Sequence, residues 1–133
     1  MIVVDTNVIA YLFLPGTNTE KSRSAFLKDP EWAAPLLWRS EFRNVLALYL
    51  RKKQLSQAEA LRLTGEAEKL MQGREYHVSS HRVLGLAAVS KCSAYDCEFV
   101  ALAEHLRLPL VTSDSALVKS FPKIAVSLEE FCA

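Results

Sequence analysis

Short apolar runs alternate along this chain with longer segments whose apolar residues recur at helical spacing. The runs are rich in β-branched or small apolar residues and predict buried strands at residues 2–4, 32–34, 76–78, 108–112 and 124–126. The longer segments predict helices through 11–14 and at 17–28, 37–52, 57–71, 81–90, 95–106, 115–120 and 127–131. Such alternation favours an α/β fold with three layers, in which helices cover both faces of a parallel sheet.

Three of the predicted helices begin with a capping box, in which a serine or threonine precedes a glutamate by three residues. The boxes are formed by Thr17 with Glu20, Ser56 with Glu59, and Ser127 with Glu130. We therefore expect a helix to start at each of these positions.

Size and composition are those of one globular domain, which we expect to span residues 1–133. Half of the residues are hydrophobic, 23% are charged and the net charge is +1, so composition neither requires nor excludes a nucleic-acid partner. The first residues lack the pattern of a signal peptide, and no run of about 18 apolar residues predicts a membrane span. Three cysteines without paired spacing predict a reduced, cytoplasmic protein and disfavour structural zinc.

Acidic residues follow two of the predicted strands. Asp5 directly ends the first strand, and Asp114 lies just past the fourth. In parallel α/β folds the reactive crevice lies at the carboxyl ends of the strands. Neighbouring strands would therefore bring these two carboxylates together.

Two further acids lie on apolar helix faces. Glu41 shares its predicted face with Leu37, Val45 and Leu48. Asp96 shares its face with four apolar residues, namely Cys92, Phe99, Val100 and Ala103. A buried ionised carboxylate is costly unless it is paired or bound to a metal, so both acids require an explanation.

Helix capping is an alternative role for some of these acids. Asp96 follows Ser93 at capping-box spacing, Asp114 could cap the helix at 115–120, and Asp5 or Thr6 could cap the first helix. Capping does not account for Glu41, which is predicted to lie inside its helix. The two roles are compatible, because a carboxylate at a helix start can also bind a ligand.

Carboxylates that share one crevice repel each other, and a divalent cation removes that repulsion. Oxygen ligands of this kind suit Mg²⁺ or Mn²⁺, which also bind phosphate oxygens. The pattern therefore indicates hydrolysis of a phosphodiester with the help of one or two ions.

Four segments resemble, in order and spacing, the motifs of the PIN-domain nucleases. They are VDTN at 4–7, SEFRNVL at 40–46, YDxxFVALAE at 95–104 and TSDxxL at 112–117. Within that family the chain looks most like the VapC-type toxins of bacterial toxin–antitoxin pairs. Each motif alone is weak, but the four together cover essentially the whole chain.

The resemblance implies a five-stranded parallel sheet between helices and Mg²⁺- or Mn²⁺-dependent cleavage of RNA by an endoribonuclease. It also implies a homodimer and inhibition by a small antitoxin protein. Carried over by position, the catalytic and metal-binding acids would be Asp5, Glu41, Asp96 and Asp114. The polar residues that orient acids or waters would be Asn7 and Thr112 or Ser113.

Charged residues close to the motifs have less defined roles. We expect Arg39, Arg43 and Lys119 to contact RNA phosphates, because they flank the acids in sequence. Glu98 lies two residues beyond Asp96, so a helix would turn its side chain away from the acids, and we expect it to be solvated.

Other functions fit part of the pattern. A haloacid-dehalogenase-like phosphatase needs a second Asp two residues after the first, where this chain has Asn7. A receiver-like signalling domain needs an Asp at the end of its middle strand, where this chain has Val78 and Ser79. Within the PIN family, the alternatives to a toxin are an RNA-processing nuclease and a catalytically idle RNA- or protein-binding module.

Overall fold

The computed structural model describes residues 1–133 and contains five strands and eight helices. The strands are β1 (Ile2–Val4), β2 (Trp32–Pro35), β3 (Glu75–Tyr76), β4 (Leu110–Thr112) and β5 (Ala125–Ser127). The helices are α1 (Thr6–Phe13), α2 (Thr19–Lys28), α3 (Leu37–Arg51), α4 (Gln57–Met71), α5 (Ser80–Ala88), α6 (Ala94–Leu106), α7 (Ser115–Ser120) and α8 (Leu128–Cys132). Every predicted element is present, and the differences lie at the element ends.

All neighbouring strands pair in parallel, in the order β3-β2-β1-β4-β5. From the central β1 the chain moves first to β2 and β3 on one side, then crosses to β4 and β5 on the other. Open α/β sheets bind ligands at the point where the strand order reverses, which here lies between β1 and β4. This order also differs from the 2-1-3-4-5 order of receiver-like domains.

Helices cover both faces of the sheet, as the apolar runs predicted. α5 packs against α6, whereas α1 packs against α2 and α3, and α3 packs against α4. All residues of β1, β2 and β4 are buried, which explains why these strands are continuous apolar runs rather than alternating ones. None of the eight helices combines the length and apolar character that a membrane-spanning segment needs.

The predicted capping boxes have different outcomes. Ser56 and Glu59 form both bonds of a capping box at the start of α4. Ser127 caps α8 by accepting a hydrogen bond from the backbone N–H of Glu130. The box predicted at Thr17 is wrong, because Thr17 lies in the turn after Pro15-Gly16 and α2 begins two residues later.

The predicted core face of α3 is also wrong. Its buried residues are Trp38, Phe42 and Leu46, whereas Leu48 is 47% exposed. Because apolar residues occupy much of the circumference of α3, periodicity alone does not decide which stripe faces the core. The aromatic side chains of Trp38 and Phe42 are buried in the core, and Glu41 lies on a neighbouring, half-buried stripe of the helix.

Candidate active site

Four carboxylates from four different elements line one cavity of about 490 Å³. Asp5 follows β1, Asp114 follows β4, Glu41 lies in the first half of α3, and Asp96 lies in the first turn of α6. Eleven residues line this cavity, and none of them is a lysine, arginine or histidine. We call it the acidic cavity. The structure therefore brings the four predicted acids together without an internal cation to balance them.

Asp5 is held at the centre of the sheet edge by three hydrogen bonds. Its Oδ1 accepts from the backbone N–H of Thr6 at 2.8 Å, so the side chain caps α1. Its Oδ2 accepts from the hydroxyl of Thr112 at 2.7 Å and from the amide of Asn7 at 3.3 Å. Burial raises the pKa of Asp5 to about 6, and the charges of Asp96 and Asp114 also favour the protonated form.

Asp114 combines a cap with a position in the acidic cavity. Its Oδ1 accepts from the backbone N–H of Ala116 at 2.9 Å and so caps α7. Its own N–H donates to the hydroxyl of Thr112 at 3.0 Å. Thr112 therefore links Asp5 and Asp114 across neighbouring strands, and capping is compatible with a place in the cavity for both acids.

Glu41 is positioned by the hydroxyl of Thr6, which donates to its Oε1 at 2.7 Å. Burial raises the pKa of Glu41, and the charges of Asp5, Asp96 and Glu98 raise it further. Thr6 was not predicted to contact this acid. Its place next to Asp5 was the only sequence signal, because its contact with α3 depends on how the two helices pack.

Asp96 lines the cavity from the first turn of α6, but it is not the cap of that helix. Ser93 is the cap, and its hydroxyl accepts from the backbone N–H of Asp96 at 3.1 Å. Burial raises the pKa of the Asp96 carboxyl, and the charge of Asp114 adds to the effect. Ser93 and Asp96 therefore form the first bond of the predicted capping box, whereas the second bond, from the Ser93 N–H to the Asp96 carboxylate, is not formed.

The other predicted polar residue, Ser113, is exposed and does not line the acidic cavity. Its backbone N–H donates to the side-chain oxygen of Asn7 at 3.3 Å, and its hydroxyl lies 3.0 Å from that of Tyr11. Asn7 thus connects Ser113 to Asp5, because its amide nitrogen bonds to the carboxylate.

Sequence reasoning missed three residues that line the acidic cavity, namely Ser40, Asn44 and Tyr95. Asn44 lies three residues after Glu41, so helical spacing could have placed it on the same face. Tyr95 directly precedes Asp96 and is 64% exposed. Its position at the start of the motif at 95–104 was the only sequence signal for it.

Arg39 forms ion pairs within the protein, so its contact with an RNA phosphate stays a prediction. Its guanidinium donates to both carboxylate oxygens of Glu75, at 2.6 and 2.8 Å, and to Glu68 at 3.2 Å. Arg39 also holds the pKa of Glu75 below its usual range. These bonds tie α3 to β3 and α4, and Arg39 does not line the acidic cavity.

The remaining charged residues occupy other surfaces. Arg43 is exposed on α3 and lies outside the acidic cavity, so its phosphate contact stays a prediction. Lys119 lines a second cavity. Glu98 is half-buried rather than solvated, and it lines a separate groove beside β3 and α5.

The donor set of the acidic cavity fits a hard divalent cation. It consists of carboxylate oxygens, and a bound cation would neutralise their mutual repulsion and offset the cost of burying their charges. As positioned, no three His, Cys, Asp or Glu side chains lie close enough together to hold an ion by themselves. Mg²⁺ usually keeps several water ligands and takes only one or two carboxylates from the protein.

Residues 2–124 match the family model of the PIN domain, so the chain belongs to the PIN-domain family. Within the family it resembles the VapC type. It is 30% identical over 127 residues to Ribonuclease VapC3 of Pyrobaculum aerophilum, an alignment that covers 92% of this chain and 96% of that protein.

Solved structures share the same fold. PAE2754 of Pyrobaculum aerophilum matches with a TM-score of 0.78 at 21% identity, over 98% of this chain and 92% of that chain. FitAcB of Neisseria gonorrhoeae matches with a TM-score of 0.75 at 20% identity, over 97% and 99%. A chain of a toxin–antitoxin complex from Klebsiella pneumoniae matches with a TM-score of 0.70 at 21% identity, over 96% and 98%. The predicted α/β fold and the family resemblance are both confirmed.

Proposed function

We propose that this protein is a Mg²⁺- or Mn²⁺-dependent endoribonuclease and the toxin of a toxin–antitoxin pair. The observation that carries the proposal is a cavity that is lined by four carboxylates and by no basic side chain. The carboxylates are those of Asp5, Glu41, Asp96 and Asp114. The relative named Ribonuclease VapC3, aligned over nearly its whole length, supports RNA as the substrate. The neighbour from a toxin–antitoxin complex supports the biological role and the antitoxin partner.

In this proposal the four carboxylates hold one or two ions. When bound, such an ion polarises the phosphate and lowers the pKa of a water molecule. The protein's part is to hold the acids in place, through Thr112 and Asn7 at Asp5 and through Thr6 at Glu41. Since burial keeps a proton on Asp5 up to about pH 6, ion binding there competes with that proton.

RNA cleavage by the purified protein tests the proposal, with Asp96→Asn as the decisive variant. We expect cleavage of single-stranded RNA with Mn²⁺, none with EDTA, and a loss of more than about 100-fold in the variant. Even residues that only support a metal ligand contribute about 10–100-fold. Mn²⁺ should also raise the Tm of the native protein more than that of the variant, because ligand binding stabilises the folded state.

Glu104→Gln is the matched control, because Glu104 is an exposed carboxylate on the same helix as Asp96. It should cleave RNA like the native protein. Full activity of Asp96→Asn, or cleavage that EDTA leaves intact, would contradict the assignment. RNA binding without any cleavage by the native protein would favour the idle binding module instead.

A further inference from the structure

A second cavity, of about 460 Å³, meets the acidic cavity along residues 113–115. Ser113 and Ser115 line the second cavity, and Asp114 between them lines the acidic one. Tyr11 also lines the second cavity, and its hydroxyl lies 3.0 Å from that of Ser113. The two cavities therefore share one short wall. We call the second one the lysine cavity.

The two cavities differ in charge. The acidic cavity has four carboxylates, whereas the lysine cavity contains Lys21, Lys119 and a single carboxylate, Glu129. An RNA strand that reaches the four acids brings further phosphates with it, and these need cations next to the acids. Arg39 does not supply such a cation, because its guanidinium already donates hydrogen bonds to Glu75 and Glu68.

The lining of the lysine cavity suits a phosphate and the sugar attached to it. The hydroxyls of Tyr11, Ser113 and Ser115 can donate hydrogen bonds beside the two lysine cations. The volume falls within the range of about 300–1,000 Å³ that is typical of small-ligand sites, so one nucleotide fits.

Glu129, the only carboxylate that lines the lysine cavity, forms a weak ion pair. Lys21 pairs with Glu129, but the two side chains are 42% and 74% exposed. Exposed pairs of this kind contribute little to stability, so Lys21 can exchange the carboxylate for an incoming phosphate. In the free protein, Glu129 therefore acts as a competitor of the ligand.

We propose that the lysine cavity binds the nucleotide next to the cleaved bond of the RNA, with Lys21 and Lys119 contacting its phosphate. The inference rests on the proposed function, because it assigns the neighbouring part of the same substrate. It predicts opposite effects for the two members of one ion pair. Removing the charge of Lys21 weakens RNA binding, and removing the charge of Glu129 strengthens it.

The test measures binding of a fluorescent single-stranded RNA by anisotropy, at several KCl concentrations with EDTA, in an Asp96→Asn background. Lys21→Gln and Lys119→Gln should each weaken binding several-fold and reduce the salt slope by about 0.7. Glu129→Gln should tighten binding. Lys69→Gln is the control, because Lys69 is exposed on α4 and lines neither cavity.

Thermal unfolding of each variant separates binding from folding. If the ion pair were only structural, Lys21→Gln and Glu129→Gln would change RNA binding in the same direction, and that result would overturn the inference. Unchanged affinity and salt slope in both lysine variants would overturn it as well. Failure of the native protein to cleave RNA is a separate result, which contradicts the proposed function but not the binding site.

Discussion

Asp5 is the most enclosed of the four acids, with 7% of its surface exposed. Its burial has a thermodynamic consequence. Between the ordinary value of 3.8 and about 6, the folded protein keeps a proton on Asp5 that the unfolded chain has released. The free energy of unfolding therefore falls as the pH rises through this window, by about 3 kcal/mol at most from Asp5 alone.

The corresponding prediction concerns metal-free protein in EDTA. The Tm of the native protein should fall relative to that of Asp5→Asn as the pH is raised from about 4 to 7, since asparagine does not ionise. Differential scanning calorimetry at several pH values measures the effect. Glu31→Gln, which removes an exposed carboxylate before β2, should follow the native protein. A constant difference between native protein and Asp5→Asn would contradict the raised pKa.

Two neighbouring arginines of α3 should behave differently. Arg39→Gln leaves Glu75, whose side chain is only 12% exposed, without its cationic partner and with only the indole N–H of Trp38 as a donor, and we expect a loss of about 1–2 kcal/mol of stability. RNA affinity should not change. Arg43→Gln should leave the Tm unchanged and weaken RNA binding, because Arg43 is exposed and adjoins Asn44, which lines the acidic cavity.

Urea unfolding and RNA anisotropy of both variants measure these effects. Weaker RNA binding by Arg39→Gln at unchanged Tm would instead support the phosphate contact that the sequence predicted. Equal loss of stability in both variants would show that the ion pairs of Arg39 contribute nothing.

At the scale of elements, three of the four acids lie where a helix begins. Asp5 and Asp114 cap α1 and α7, and Asp96 lies in the first turn of α6. Helix starts present unpaired N–H groups that favour negative charge, so these positions partly offset the repulsion among the acids. Glu41 lacks that advantage and depends on Thr6.

Removing the cap of α6 should therefore affect both stability and activity. Ser93→Ala should cost about 1 kcal/mol and lower the Tm by roughly 3–5 °C, because the N–H of Asp96 loses its acceptor. RNA cleavage should fall several-fold, since the first turn of α6 also holds the carboxylate. The measurements are thermal unfolding and initial cleavage rates.

Ser56→Ala is a matched comparison, because it removes the capping box of α4, a helix that contributes no residue to the acidic cavity. It should lose similar stability and keep its activity. An equal loss of activity in both variants would mean that cleavage follows stability alone.

At the scale of the whole molecule, the reversal of strand order between β1 and β4 positions the acidic cavity, and the proposed toxin role depends on that cavity. Expression in a bacterial host should arrest growth, and Asp96→Asn should not. Co-expression of an antitoxin that binds the protein should restore growth, which colony counts after induction measure. Arrest by the Asp96→Asn protein would separate toxicity from the carboxylates.

The sequence by itself determined the fold class and the acids. Apolar runs identify strands that are buried on both faces, and strand ends identify Asp5 and Asp114 without reference to any contact. Ser56 and Glu59 were predictable because a capping box involves only local hydrogen bonds. The PIN-type motifs add Glu41 and Asp96 as members of one set.

Only the tertiary structure decided how the site is held and where its cations are. Thr6 meets Glu41 across 35 positions of the chain, and Thr112 meets Asp5 across 107. Arg39 was assigned to RNA from its sequence neighbours, but its partners lie on β3 and α4. Long-range contacts of this kind leave no periodic or local signal, because they depend on how the elements pack. For the same reason, the lysine cavity beside Asp114 becomes visible only in the folded chain.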